Sequence, residues 1–534
     1  MNRIKNTVMS VILLCTLTGC TNSSPKNNDE TEYSKYVIQE ETSKSTSDSQ
    51  LEDMPLISIE TVNQDNSVMD FITKPVARHV AEQIATWTPD YEMPPEPYYE
   101  ACTITLTDSE KNVLLDNVSA DVKVRGNWTT NYEKKPLRIK FTENQNMLGM
   151  NEGAEMKNWL LLAEYKDASM LRDKTALSIA RELSKDDDLY VSDAKLVEVQ
   201  VNQQYWGVYL LAEQQQVNKN RVDITEPKAD ETQTNIGYFL EFDGYFYNEE
   251  PLKQFHVDYA DNAELIPFDG NGGSGKTMKC LPKKASDVKN DIGMTIKSDI
   301  YSQEQHDFIA SYINNVYDIM YEAAYNDKAF VFNNDYTQIS ETDKISPQEA
   351  VKQAVDVQSL ADIYIISELT CDADIYWSSF YMDVDFGTDE PPKLRFEAPW
   401  DFDSSMGLKN RCLGGEGFYA SNIVPDVDGG PQGGGQYETV NPWLVVLAYE
   451  DWYQEIIKEK WTKAYDDGIF ERAFEEIEHD KTSYLNSFEK NYKKWNNIEN
   501  NMAFEMELSY PYLFLNSKKG STSFPSLKSF SISF

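Results

Sequence analysis

The chain has 534 residues, a formal net charge of −40, and 40 % hydrophobic and 12 % aromatic residues. That length allows several domains, and that apolar content supports a sizeable core. The charge excludes a general nucleic-acid binder, because a phosphate backbone needs Lys and Arg to neutralise it, and it makes the surface repel anionic membranes.

The first segment reads as an export signal outside the fold. Arg3 and Lys5 form a positive start, Val8 to Leu17 is an apolar run too short to span a bilayer, and Leu17-Thr-Gly-Cys20 closes it. The closing motif resembles the bacterial lipoprotein signal. That resemblance implies cleavage after residue 19, a lipid on Cys20, and a chain anchored at the extracytoplasmic face of the cell membrane. Loss of Arg3 and Lys5 with residues 1–19 leaves the mature chain at −42. Residues 20–52 are Ser, Thr, Asn, Asp, Glu and Lys with few apolar side chains, a composition that cannot offset chain entropy, and they read as a tether. Of the six cysteines, Cys102, Cys280, Cys371 and Cys412 lie beyond the signal and Cys20. Their long, irregular spacing argues against zinc and permits one or two disulfides outside the cytoplasm.

From residue 53 the pattern is globular. Strands are predicted at Leu56–Thr61, Ala101–Leu106 and Val122–Val124. Arg125-Gly-Asn-Trp128 is a turn bearing a cation, and Lys134-Lys-Pro-Leu-Arg-Ile-Lys140-Phe ends as an alternating strand. A helical period follows over Asp167–Leu183. Lys195–Asn202 and Trp206–Glu213 then read as a hairpin, and Ile236–Asp243 as a further strand. A helix interrupting an antiparallel sheet is an α+β pattern. Gly270-Asn-Gly-Gly-Ser-Gly-Lys-Thr277 matches the phosphate-loop consensus, but no helical period follows it and Pro282 intervenes. It is read as a loop.

The second half is mostly helical, over Gln303–Tyr325, Ser359–Leu369, Pro442–Lys463, Ile469–Ile477 and Thr482–Trp495. Tyr376–Asp383 and Leu394–Glu397 are strands joined by a polar turn, and residues 411–439 are a Gly-rich loop. No assignment is made for 511–534. The helix 359–369 delivers the chain to Asp372 and Asp374. The strand at 394–397 delivers it to Trp400-Asp401-Phe-Asp403-Ser-Ser-Met-Gly407. Carboxylates at a strand end can hold a hard divalent cation; Asp-rich turns also simply satisfy their own amides.

Seven motifs occur in order: Arg125-Gly-Asn-Trp, Lys134-Lys-Pro-Leu-Arg-Ile-Lys-Phe, Asn158-Trp-Leu-Leu, Asp167-x-x-x-Leu-Arg, Gly207-Val-Tyr-Leu-Leu-Ala-Glu, Asn220-Arg-Val-Asp and Trp400-Asp-Phe-Asp-x-x-x-Gly. Together they resemble the CotH (spore coat protein H) kinase family over about residues 100–500. The resemblance implies an atypical protein-kinase-like bilobal fold. An antiparallel-sheet N-lobe with one helix (53–213) would precede a mainly helical C-lobe (214–510). It also implies ATP with Mg²⁺ or Mn²⁺, and phosphorylation of Ser or Thr in a partner protein, itself possibly Ser-rich. On that mapping Lys140, with Lys135 as alternative, and Arg125 contact the phosphates, and Glu213 lies at the adenine hinge. Asp374 faces the acceptor hydroxyl and Asp401 holds metal, with Asp403 and Asp372 as second choices. Ser379 stands where the family commonly has a second metal ligand, Asn, and Glu182 is the one Glu well inside the helix that should pair the strand Lys. Two other readings stand beside this one: a surface scaffold that keeps the fold without chemistry, and a glycoside hydrolase built on paired carboxylates.

Overall fold

In the computed structural model the described residues are 52–63, 67–268, 277–279, 292–408, 418–426 and 437–497, with Pro511 and Leu515. The signal, Cys20, the tether, Cys280, Cys412 and all of the phosphate-loop look-alike except Thr277 lie outside them.

The first part comprises β1 (Leu56–Thr61), short helices α1 (Asp70–Thr73) and α2 (Arg78–Ala85), β2 (Glu100–Thr107), β3 (Val113–Val124), β4 (Leu137–Gln145) and β5 (Met156–Leu162). Helix α3 (Arg172–Leu183), β6 (Ala194–Val201) and β7 (Gln204–Glu213) complete it. The strands close in the order β1-β2-β3-β4-β5-β7-β6. Neighbours are antiparallel except β1 and β6, which run parallel, Leu56 opposite Glu198 and Ile59 opposite Val201. The expectation of an antiparallel-sheet N-lobe with one helix is corrected in two respects: the strands close into a barrel with one parallel pair, and α1 and α2 precede α3. Strand β1 carries alternating buried residues, so it can close the barrel and leave no sheet edge, and β5 was not recognised in the sequence as a strand. The β6–β7 hairpin turns through Asn202 (φ 49°) and Gln203 (φ 62°), the left-handed pair that matches strand twist.

Alternation gives the barrel two surfaces. Inside lie Ile59, Ile104, Val122, Ile139, Trp159 and Leu211, all buried. Outside, Leu160, Leu162, Leu196 and Leu210 of β5, β6 and β7 pack in one core with Leu171 and Leu177. The outer face of β3 and β4 instead presents Lys123, Arg138 and Lys140.

Next come β8 (Gly237–Asp243), β9 (Gln254–Phe255), α4 (Tyr259–Asn262), β10 (Gly293–Ile296), α5 (Gln303–Asn326), β11 (Ala329–Phe332), β12 (Ile339–Thr342), α6 (Pro347–Ala354) and α7 (Val357–Thr370). The chain continues with β13 (Phe380–Asp385), β14 (Arg395–Phe396), β15 (Val424–Asp426), β16 (Tyr437–Thr439), α8 (Pro442–Val445), α9 (Asp451–Asp466), α10 (Ile469–Ser483) and α11 (Leu485–Trp495). Helix α5 begins on a capping box from Ser302 and Gln305. Helix α7 is capped by Asp356 and buried on nearly every side. The mainly helical expectation needs correction here too, because a five-stranded sheet ordered β14-β13-β8-β10-β9 runs through this part. Its strands β9 and β14 are too short to show a period. The helix expected over 442–463 is two helices, since the chain breaks between Val445 and Asp451.

Candidate active site

Three segments converge. Helix α7 ends on Cys371 in the left-handed conformation (φ 49°), which turns the chain into Asp372 and Asp374. Asp372 is buried, and its Oδ1 accepts the Asp374 amide at 3.1 Å. Burial, then the charge of Asp374, pushes its carboxyl well above the usual range. Strand β14 ends in the second segment, with Ala398 (φ 56°), Asp401 (φ 69°) and Met406 (φ 47°) all left-handed. One carboxylate oxygen each from Asp374, Asp401 and Asp403 lie within 4.8 Å of one another, and all three residues are half-buried.

The third segment is the start of α3. Asp167 accepts the amides of Ser169, Leu171 and Arg172 and pairs with the Arg172 guanidinium, both side chains fully buried. Arg172 Nε donates to the Ser405 carbonyl at 3.1 Å, and Asp173 Oδ1 accepts the Phe402 amide at 2.5 Å. Lys166 donates to Ser404 Oγ at 2.9 Å. The Asp167-x-x-x-Leu-Arg motif thus holds the loop that carries Asp401 and Asp403. Asp173 and Glu164 are buried beside that loop, and burial followed by neighbouring carboxylates raises both well above the carboxylate range. Oε2 of Glu164 has no hydrogen-bond partner among the described residues.

Arg125 faces this acidity from the barrel, with further basic residues around it. Arg125 follows β3 and feels Asp401 and Asp173; burial lowers its pKa and Asp401 opposes that shift. Arg138 lies close enough to repel it, is cross-strand from Lys123, and donates to Asn158 Oδ1 at 3.0 Å. Lys140 shares the face of Arg138 but is exposed, 5.8 Å from the Tyr99 ring centroid. Lys135 is buried and donates to the Thr130 carbonyl, bracing the turn after Arg125, and burial lowers its pKa to about 8. The Glu213 side chain is likewise tied: it bonds Arg221 at 3.3 Å, Asn151 at 3.0 Å and the Asp193 amide at 3.1 Å. Glu182 pairs at 2.7 Å with Arg472 on the surface, not with a strand lysine. Ser379 (φ 62°) donates its hydroxyl to Asp401 Oδ2 at 3.2 Å, and its amide bonds Glu241.

So the structure brings Arg125, Asp374, Asp401, Asp403 and Ser379 together; Lys135 and Glu213 are engaged in bracing contacts, and Lys140 stands at the exposed end of the row. Sequence reasoning missed Arg138, Asp173 and Glu164. Arg138 was findable, since it has the same strand parity as Lys140.

The model of one protein family, described as CotH kinase protein, matches residues 122–521. The chain belongs to the CotH kinase family. No curated protein matches the sequence. Membership supports a kinase-like function in general terms and suggests a nucleotide and a divalent metal. The donor set fits such a metal. Three carboxylates supply hard anionic oxygens, the donors Mg²⁺ and Mn²⁺ take. Cys102 is a buried free thiol, and Cys371 is buried where α7 ends. Among the described residues no helix is long and apolar enough to cross a membrane.

Proposed function

We propose that this CotH-family chain is an ATP-dependent protein kinase that phosphorylates Ser or Thr of a partner protein. The barrel and the sheet-and-helix part would act as two lobes around the nucleotide. The observation that carries the reading is the triad Asp374, Asp401 and Asp403 with Arg125 facing it from the barrel. Phosphoryl transfer is mainly positioning and charge stabilisation, and a cation opposite a carboxylate triad offers both. Asp401 and Asp403 would hold Mg²⁺ or Mn²⁺, which when bound neutralises charge on the phosphate oxygens. Arg125 and Arg138 would bind the phosphates, with Lys123 and Lys140 further along the row. Asp374 would orient the acceptor hydroxyl and take its proton. The hydroxyl oxygen forms the new bond to the γ-phosphorus, the bond from that phosphorus to the β-γ bridging oxygen breaks, and ADP leaves. The signal at Leu17–Cys20 supports a lipid anchor on Cys20 at the extracytoplasmic face, where the acceptor would also be met.

The test uses labelled ATP, Mg²⁺ or Mn²⁺ and a Ser-rich acceptor. Wild type should transfer label, and Asp401→Asn should lose about a thousandfold, since a metal contributes several kcal/mol at a transition state. Equal label from both sinks the kinase reading. Ser379, with its hydroxyl on Asp401 in place of an amide, favours a second reading, a non-catalytic kinase-like surface binding protein. Absence of a thermal shift with any nucleotide and metal would select it, because a ligand of the native state must raise the midpoint.

A further inference from the structure

We infer that Leu515 is a positioning residue for the metal loop, acting through α3 and α7. The loop is tied at both ends by backbone amides. Phe402 donates to Asp173, in the first turn of α3, at 2.5 Å, and Met406 donates to the carbonyl of Thr370, the last residue of α7, at 2.6 Å. Helices α3 and α7 pack on one another and α3 also packs on α10. Their separation therefore sets the span between the two tethers, and with it the placement of Asp401 and Asp403 between them.

Where the three helices meet, they leave an apolar hollow lined by Ile179 of α3, Leu369 of α7, Phe470, Ala473 and Phe474 of α10, and Leu515. Leu369 is the residue before the Thr370 tether, and Ile179 lies less than two turns after Asp173. Leu515 is 2 % exposed there. The polar side of the α3–α10 contact is closed by Lys174, bonded to Glu476 at 2.6 Å and Asp480 at 2.5 Å, and by Ser178 on Glu476 at 2.7 Å. Interiors are close-packed and pass displacement on to their neighbours. A void at Leu515 is relieved only in part by collapse, and two of the three helices lining it, α3 and α7, are the ones that hold the loop.

The inference rests on the reading of Asp401 and Asp403 as cation ligands, so its test has one arm that needs no metal. In the full chain, hydrogen exchange of residues 400–408 and titration with Mn²⁺ are measured for wild type, Leu515→Ala, Leu515→Met, and Ile139→Ala as a cavity in the barrel. We expect Leu515→Ala to speed exchange at Phe402 and Met406 at least fivefold and to weaken Mn²⁺ binding several-fold. Leu515→Met should restore both, and Ile139→Ala should lower Tm while changing neither. Leu515→Ala with a lower Tm and wild-type loop exchange overturns the inference. Faster exchange in Leu515→Ala with no Mn²⁺ uptake even by wild type supports the positioning role and rejects the cation site.

Discussion

Strand β4 and the loop from Pro399 to Gly407 are built on opposite principles. In β4, Leu137, Ile139 and Phe141 are buried in strict alternation and no residue has positive φ. In and beside the loop, Ala398, Asp401 and Met406 are left-handed, as are Cys371 and Ser379 across from it. Such residues cost about 1–3 kcal/mol each and persist only where surroundings over-determine them. Arg172, Asp173 and Thr370 supply that determination from outside the loop. The barrel wall is stable by its own pattern, whereas the loop is held in shape by other elements, and this is the division expected between scaffold and chemistry.

The largest effects should separate the two regions cleanly. Asp401→Asn, which keeps size and tolerates φ 69°, should abolish transfer while Tm stays equal or rises, because one of three neighbouring like charges is gone. Ile139→Ala should do the reverse. Emptying that buried barrel position should cost about 2–5 kcal/mol, read from urea unfolding, with activity per folded molecule unchanged. If Ile139→Ala halves specific activity at full folding, the barrel is not a passive scaffold.

The same division decides what could be read beforehand. Strand β1 and helix α5 were predicted within a residue of their ends, because each carries its own periodicity and, for α5, its own cap. Barrel closure was not legible, since the β1–β6 pairing joins residues far apart in sequence by backbone bonds that leave no residue signature. The acidic triad was anticipated from local motifs, but Asp173 and Glu164 became visible only when α3 was packed on the loop. Lys140 was expected to end its strand, but β4 runs on to Gln145 and leaves it exposed in mid-strand, whereas Arg138 two residues earlier is half-buried and near enough to Arg125 to repel it.

A smaller effect tests how the loop is tuned. Ser379 has φ 62°, a conformation Asn adopts more readily than most residues. Ser379→Asn can therefore place an amide oxygen beside Asp401 at little backbone cost. It should lower the Mn²⁺ concentration for half-saturation several-fold, and Ser379→Ala should raise it. Identical titrations for all three would place Ser379 outside the metal's surroundings.

The finest test asks whether a lysine buried against β7 carries a charge penalty of its own. Lys134 is fully buried, donates to the Val208 carbonyl, and lies 4.6 Å from the Tyr209 ring centroid. Burial lowers its pKa to about 7, against the opposing pull of Glu164. Between about pH 7 and its ordinary value near 10.5, the unfolded chain then binds a proton that the folded chain does not. Unfolding free energy should therefore rise with pH across that window, by up to about 1.4 kcal/mol per unit from this group. The gain is complete above the upper bound and lost as pH falls through the lower one. Lys134→Met removes the titration and should flatten the slope relative to wild type. The difference between the two chains isolates Lys134 from every other titrating group, and parallel slopes would mean that its amine stays charged, held by Glu164 and the Val208 carbonyl.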